Sequence, residues 1–176
     1  MTDDRELVRQ ALSGSGPAFE TLVERYQDRV YRVALRYLGR HQDAEETAQE
    51  TFMRAFTKLE TYDAERPFPT WLLSICANAA RDTLRRRGRR PEAPMPESDP
   101  PDRRPGPARG AVEREEAERL REAVARLDEE KRLAVVLRYF EGLSLAEIAD
   151  VTGTEVATLK VRLFRARQEL FRMMEE

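Results

Sequence analysis

Apolar residues recur along this chain at helical spacing, and no stretch of useful length alternates with the period of two that a strand needs. Leu7, Val8, Ala11 and Leu12 mark a short amphipathic helix, which Gly14, Gly16 and Pro17 are expected to end. Phe19, Leu22, Val23, Tyr26, Val30, Val33, Ala34 and Tyr37 carry a second helix up to Gly39. A third is expected to start near Asp43, a good N-cap, and to turn Ala44, Ala48, Phe52, Ala55 and Leu59 inward. After a turn over Tyr62 to Pro69, a fourth runs from Trp71 towards Arg90.

From Pro91 the pattern stops. Pro, Arg, Asp, Glu and Gly dominate up to Gly110, and such a segment buries too little apolar surface to offset its ordering entropy. The expectation is a helical domain over 1–90, a mobile linker over 91–111 and a second helical domain over 112–176. In the second domain, Val112 to Leu127 and Glu129 to Glu141 read as helices, the latter with Leu133, Val136, Leu137 and Phe140 on its apolar side and Gly142 at its end. Ser144 with Glu147 forms a capping box that opens a short helix containing Leu145, Ile148 and Ala149. A tight Thr152-Gly153-Thr154 turn comes next, then a last helix from about Glu155 with Val156, Leu159 and Leu163 inward. That order and spacing predict a helix-turn-helix. The fold class is therefore all-α: two small helical domains on a Pro- and Arg-rich tether.

Two helices carry chemistry on their outer faces. On the fourth, Trp71, Ser74, Asn78, Arg81 and Arg85 share a stripe, with Leu72, Ile75, Cys76, Ala79, Ala80 and Leu84 roughly opposite. Guanidinium groups attract phosphate, indole stacks on an unpaired base, and an amide reads base edges, so the stripe suits melted or single-stranded nucleic acid. A solvated arginine face with Trp71 closing a core edge explains the same residues. On the last helix, Thr158, Lys160, Arg162, Arg165 and Arg167 are expected outward, suited to the edges and phosphates of a duplex groove. A helical hairpin with a basic surface is the plainer account.

Charge sharpens this picture. With 31 basic and 33 acidic side chains the chain is formally −2, so overall charge would not draw it onto DNA. The basic residues are segregated instead, in Arg81 to Arg90 and Lys160 to Arg172, which points to nucleic-acid contact gated by a partner. Acidic residues gather in Asp43 to Glu50 and Glu113 to Glu118. Cys76 and His41 are the single cysteine and histidine, which excludes a cysteine–histidine metal cluster and an internal disulfide. Cys76 reads as a small core residue and His41 as a surface turn residue. No apolar run approaches the roughly 20 residues needed to span a bilayer, so a protein without membrane insertion, cytoplasmic, is expected. No phosphate loop and no nucleophile with its base are evident; no catalytic residue and no cofactor are expected.

Taken together, Asp43-Ala-Glu-Glu-Thr-Ala-Gln49-Glu50-Thr-Phe52, Pro67-Phe-Pro-Thr-Trp71 through Asn78 to Arg81-Asp82, Leu137 through Gly142 and Glu147 to Ala149, and Leu159-Lys160-Val-Arg162-Leu-Phe-Arg165-Ala-Arg167 resemble the extracytoplasmic-function group of bacterial sigma factors, compact relatives within the sigma-70 family. The resemblance implies that Asp43, Glu46, Gln49 and Glu50 lie on the helix that docks the clamp helices of the polymerase beta-prime subunit, with the beta flap as a further partner surface. An acidic helix start stabilised by the helix dipole is the alternative for those residues. It further implies that the loop from Tyr62 to Phe68 holds a flipped promoter base, and that Trp71, Asn78 and Arg81, with Arg85 on the same stripe, help open and read the −10 element. Thr158, Lys160, Arg162, Arg165 and Arg167 would meet the −35 element as duplex. An anti-sigma protein is an implied further partner. Ala157 and Val161 stand where the family often has glycine and serine, which implies an unusual −35 preference. A helix-turn-helix regulator acting without core polymerase remains the rival, because the second domain alone fits it.

Overall fold

The computed structural model describes residues 3–88 and 111–175, and every regular element among them is helical. Helix α1 spans Asp4–Leu12, with Asp4 and Glu6 in its first turn where carboxylates complement the positive end of the helix dipole, and it buries Leu7 and Val8. Gly14, at φ +96°, makes the turn after it. Gly16 and Pro17, expected to terminate α1, instead open α2 (Gly16–Leu38), because proline in a first turn gives up an amide that has no intrahelical partner. Gly39 caps α2 in the left-handed conformation at φ 74°, its N–H donating to the Leu35 carbonyl.

Helix α3 runs His41–Thr57. Asp43 is therefore inside the first turn and not the N-cap; Arg40 holds that place. Leu59, expected at the end of this helix, belongs to a short 3₁₀ turn over Leu59–Thr61 and is buried there. Helix α4 spans Phe68–Arg87 with Pro69 in its first turn. Its apolar face is rich in small residues, Cys76, Ala79 and Ala80 among them, which lets α2 and α3 approach closely. Thr47 and Thr83 share a buried hydroxyl hydrogen bond of 3.1 Å between α3 and α4. Burial pushes the Cys76 thiol up to about 12, so it behaves as an inert core side chain. His41 is half-buried and held by the Tyr31 hydroxyl, with the two rings stacked.

In the second half, α5 covers Ala111–Arg126, so its first residue falls inside the expected linker; the rest of that linker lies outside the described residues. Helix α6 (Glu129–Val135) starts at Asp128, whose side chain accepts from the Lys131 amide. It continues as a π-helical turn over Val136–Phe140. Leu133 through Leu137 are all 2 % exposed or less, because α6 and the π turn lie between α8 and α2. The extra residue of a π turn rotates the side chains beyond it, and Phe140 emerges half-exposed with the Arg36 guanidinium 4.6 Å above its ring. It therefore does not join the core as the apolar spacing suggested.

Helix α7 (Leu145–Thr152) carries the complete capping box: Ser144 Oγ accepts from the Glu147 amide, and the Ser144 amide donates to Glu147. The donation from the Ser144 amide is the main reason the Glu147 carboxyl sits below the usual carboxylate range. Gly153 adopts φ 67° in the turn that leads into α8 (Val156–Glu175). Val156, expected inward, is 37 % exposed at the helix start, while Leu159, Leu163 and Ala166 face the core.

The halves are packed together. Helix α7 lies on α4, α2 touches α5, α6 and the π turn, and one apolar core runs through both halves. Glu141, its side chain 7 % exposed, accepts from Arg29 Nε at 2.7 Å and faces an Arg36 nitrogen at 3.9 Å. Arg132 donates to the Tyr37 carbonyl at 2.9 Å and to the Leu127 carbonyl at 2.8 Å. Leu137→Ala should lower stability by about 3 kcal/mol, since the residue is fully enclosed, as read from the urea unfolding midpoint.

Candidate nucleic-acid interface

Three surfaces carry the residues singled out in the sequence. The first begins at the 62–66 loop, which the Tyr62 hydroxyl closes by donating to the Arg66 carbonyl at 2.7 Å. Tyr62, Phe68 and Trp71 form an aromatic triangle with ring centroids 5.4 to 5.6 Å apart, and Tyr26 of α2 adds a fourth ring 5.5 Å from Phe68. Phe68 is only 2 % exposed. It is the floor of the cluster in the free chain, covered where a direct contact was expected of it. Its burial comes from its position: as the first residue of α4 it points back onto α2 beneath Tyr62. Tyr62 and Trp71 remain half-buried rings at the rim. Tyr26 was not among the candidate site residues; its hydroxyl donates to Asp4 of α1, and burial is the main reason its phenol is shifted upward.

Along α4 the stripe continues as the sequence spacing predicts, with unequal access. Asn78 is exposed. Arg85 is open to solvent and bonded to Asp82 at 2.5 Å. Arg81 is 22 % exposed, with Glu130 of α6 at 4.0 Å.

The second surface is on α3. Glu46 and Gln49 are exposed, Glu46 accepting from Gln42 at 3.2 Å. Glu50 accepts from Arg54 at 2.6 Å, and Arg54 also donates to Asp82 of α4 at 2.9 Å. The Arg54 bond is the main reason the Asp82 carboxyl sits below its usual range. Asp43 differs from expectation: it faces inward and pairs with Arg87, which also donates to the Leu38 carbonyl. It is a clasp between the ends of α3 and α4. Beside Gln49 lies an apolar groove of about 610 Å³ lined by Phe19, Val23, Ala48, Phe52, Met53 and Phe56. Met53 and Phe56 are 66 % and 61 % exposed. The sequence signal for them was the density of apolar residues from Phe52 to Phe56, too many for a single inward stripe.

The third surface is on α8. Thr158, Lys160, Arg165 and Arg167 are exposed on its outer side. Arg162 is not; its side chain is 20 % exposed and bonded to Glu130 at 2.8 Å. One helical turn from Leu159 and Ala166, it lies at the edge of the buried stripe and not at the crest. Val161 and Phe164, 51 % and 61 % exposed, sit among the basic residues of the crest. Phe164 was not among the candidate site residues, although its place four residues after Lys160 put it on the same face.

Comparison with known proteins gives a consistent answer. The model of sigma-70 region 2 matches residues 22–90, and that of sigma-70 region 4 matches residues 117–170. The chain is 33 % identical to the RNA polymerase sigma-H factor of Pseudomonas aeruginosa, over 98 % of this chain and 94 % of that one. It is 34 % identical to the ECF RNA polymerase sigma-E factor of Haemophilus influenzae, over 94 % and 92 % of the two. Among solved structures it resembles CnrH in complex with the cytosolic domain of CnrY, with TM-score 0.73, 30 % identity, and 98 % and 97 % of the two chains covered. The sigma factor RpoE of Bartonella quintana, solved with the anti-sigma factor NepR, shares the fold at TM-score 0.74 and 21 % identity, over 89 % and 96 % of the two chains.

The Arg54–Asp82 pair makes a pH-dependent prediction. Asp82 has its carboxyl lowered in the folded chain, so its contribution is complete above the ordinary Asp pKa of about 3.9 and disappears as pH falls through the folded value. Asp82→Asn should therefore cost at most about 1 kcal/mol at pH 7, and the gap to wild type should narrow as the pH is lowered below the ordinary Asp range, measured by urea unfolding at pH 7 and in acid.

Proposed function

The chain belongs to the extracytoplasmic-function group of sigma-70 RNA polymerase sigma factors, and from that premise we propose that it joins core polymerase through α3 and recognises promoters with two separate faces. The observation that carries this reading is the difference between the faces. Helix α4 presents aromatic rings and an amide beside a closed loop, a surface for unstacked bases, and α8 presents a basic helix behind a capped helix-turn-helix, a surface for a groove.

In this proposal Glu46, Gln49 and Glu50 dock the clamp helices of the beta-prime subunit, and Asp43 supports them through Arg87. The neighbouring apolar groove, with Met53 and Phe56 at its rim, adds desolvated area to that polar contact. Tyr62 and Trp71 take a base flipped from the −10 element, on a floor made by Phe68. Pulling out a base costs a few kcal/mol, and a fitted pocket returns that cost only for certain bases. Asn78, Arg81 and Arg85 guide the separated strand. Thr158, Lys160, Arg165 and Arg167 hold the −35 element as duplex, with Val161 and Phe164 offering apolar contact to thymine methyl groups. Arg162 joins them once released from Glu130.

The domains are proposed to be 1–90 and 112–176, with 91–111 as the tether that sets their reach and raises the effective concentration of the second contact. An anti-sigma protein is the proposed inhibitor; the CnrH likeness was likewise solved with a second protein, the cytosolic domain of CnrY. No described helix is long and apolar enough to cross a membrane, and the proposed place of work is the cytoplasm, where core polymerase is. No cofactor or catalysis of its own enters this account.

Run-off transcription with purified core polymerase on a promoter library tests the whole proposal. Initiation from a defined set of start sites supports it; tight promoter binding without polymerase would favour a stand-alone regulator instead. Trp71→Ala should reduce permanganate reactivity of −10 thymines by about tenfold while leaving polymerase association intact. Arg165→Ala should weaken holoenzyme binding to a paired −35 site and lower the salt slope of that binding by about 1, read from titrations at several salt concentrations.

A further inference from the structure

Glu130 lies in the first turn of α6, where it meets one arginine from each proposed promoter face: Oε2 is 2.8 Å from Arg162 of α8, and Oε1 is 4.0 Å from Arg81 of α4. Its neighbour Lys131 is occupied by Asp128 and Glu169, so it does not compete for the Glu130 carboxylate. Glu130 also lines an open groove with Thr158, Val161 and Arg165, on the side of α8 that faces the proposed duplex. A guanidinium binds a carboxylate and a phosphate through the same planar fork of N–H donors. We propose that Glu130 stands in for a DNA phosphate in the free chain: docking to polymerase parts α4 from the second half and frees Arg81, and a promoter phosphate then displaces the carboxylate from Arg162, which stays beside it in the second half.

The inference rests on the assignment of α4 and α8 as promoter faces. The arrangement suits an exchangeable mask. The Glu130 side chain is 51 % exposed, so its pairs are screened and weak enough for a polyanion to displace once the halves move. The firmer bonds between the halves are elsewhere: Arg29 to the buried Glu141, and Arg132 to the Tyr37 carbonyl. Those bonds hold α6 on α2, and in that position the glutamate, already paired with Arg162 of its own half, also comes within reach of Arg81.

The test uses the full chain without polymerase and a fluorescein-labelled forked duplex of mixed sequence. Glu130→Gln should bind the fork roughly fivefold more tightly than wild type. Glu129→Gln removes the same charge one residue earlier, in neither arginine pair, and should change affinity less than twofold. Circular dichroism and melting curves of both variants check that the fold is kept. With core polymerase added, the variants and wild type should form open complexes equally, because Arg81 is then clear of Glu130 and the promoter phosphates, held close by polymerase, displace the carboxylate from Arg162. An equal gain in both variants means bulk charge alone and overturns the mask; no gain in Glu130→Gln overturns it as well. Run-off transcription by the wild-type holoenzyme reports separately on the underlying assignment. Its success beside an unresponsive Glu130→Gln would sink the mask and leave the promoter reading standing.

Discussion

A carboxylate cannot stay ionised out of water without cationic partners, and Glu141 has them only because α2 and the π turn after α6 lie side by side. Arg29 and Arg36 supply the charge from one half, and Glu141 supplies it from the other. Removing either side would strand a buried ion, so the pairing makes the packing of the halves specific as well as favourable. Arg36 reinforces it by lying over Phe140, the residue that the π turn pushes out of the core. The rest of the interface, α7 on α4 and Arg132 on the end of α2, falls into register with it.

That joint decides which surfaces are open. The acidic and apolar face of α3 looks away from it, and the groove beside Gln49 remains accessible. The α4 stripe runs into it: Asn78 and Arg85 are free of the second half, whereas Arg81 reaches its edge. On α8 the crest from Lys160 to Arg167 is exposed, while Arg162 is drawn to α6. In the proposed reading, the face assigned to polymerase is open while those assigned to DNA are partly engaged, an order that suits meeting the larger partner before the promoter.

Much of this was legible along the chain because it depends on local rules. The capping box at Ser144 and Glu147, the left-handed Gly39 and Gly153, and the stripes of α2 and α4 each arise from neighbours within a few residues. The errors share a cause. Asp43 looked like a cap because its type favours one, yet Arg87, far along the chain, recruited it for an ion pair. Phe68 has the motif position of an accessible ring, yet Tyr62 and Tyr26 pack against it and it is buried in the free chain. Phe140 kept to the helical period until the π turn broke the count.

The residue order alone determined the helices, the capping box of α7, the two-part plan and the chemical character of each outer face, since propensity, capping and amphipathic spacing act over one or two turns. The tertiary structure decided which arginines are open to solvent, which aromatics are floor and which are rim, and that Glu141 and Glu130 join the halves. Those outcomes depend on pairings between residues remote in sequence, and burial or charge neutralisation exists only once the chain has brought both partners to the same place.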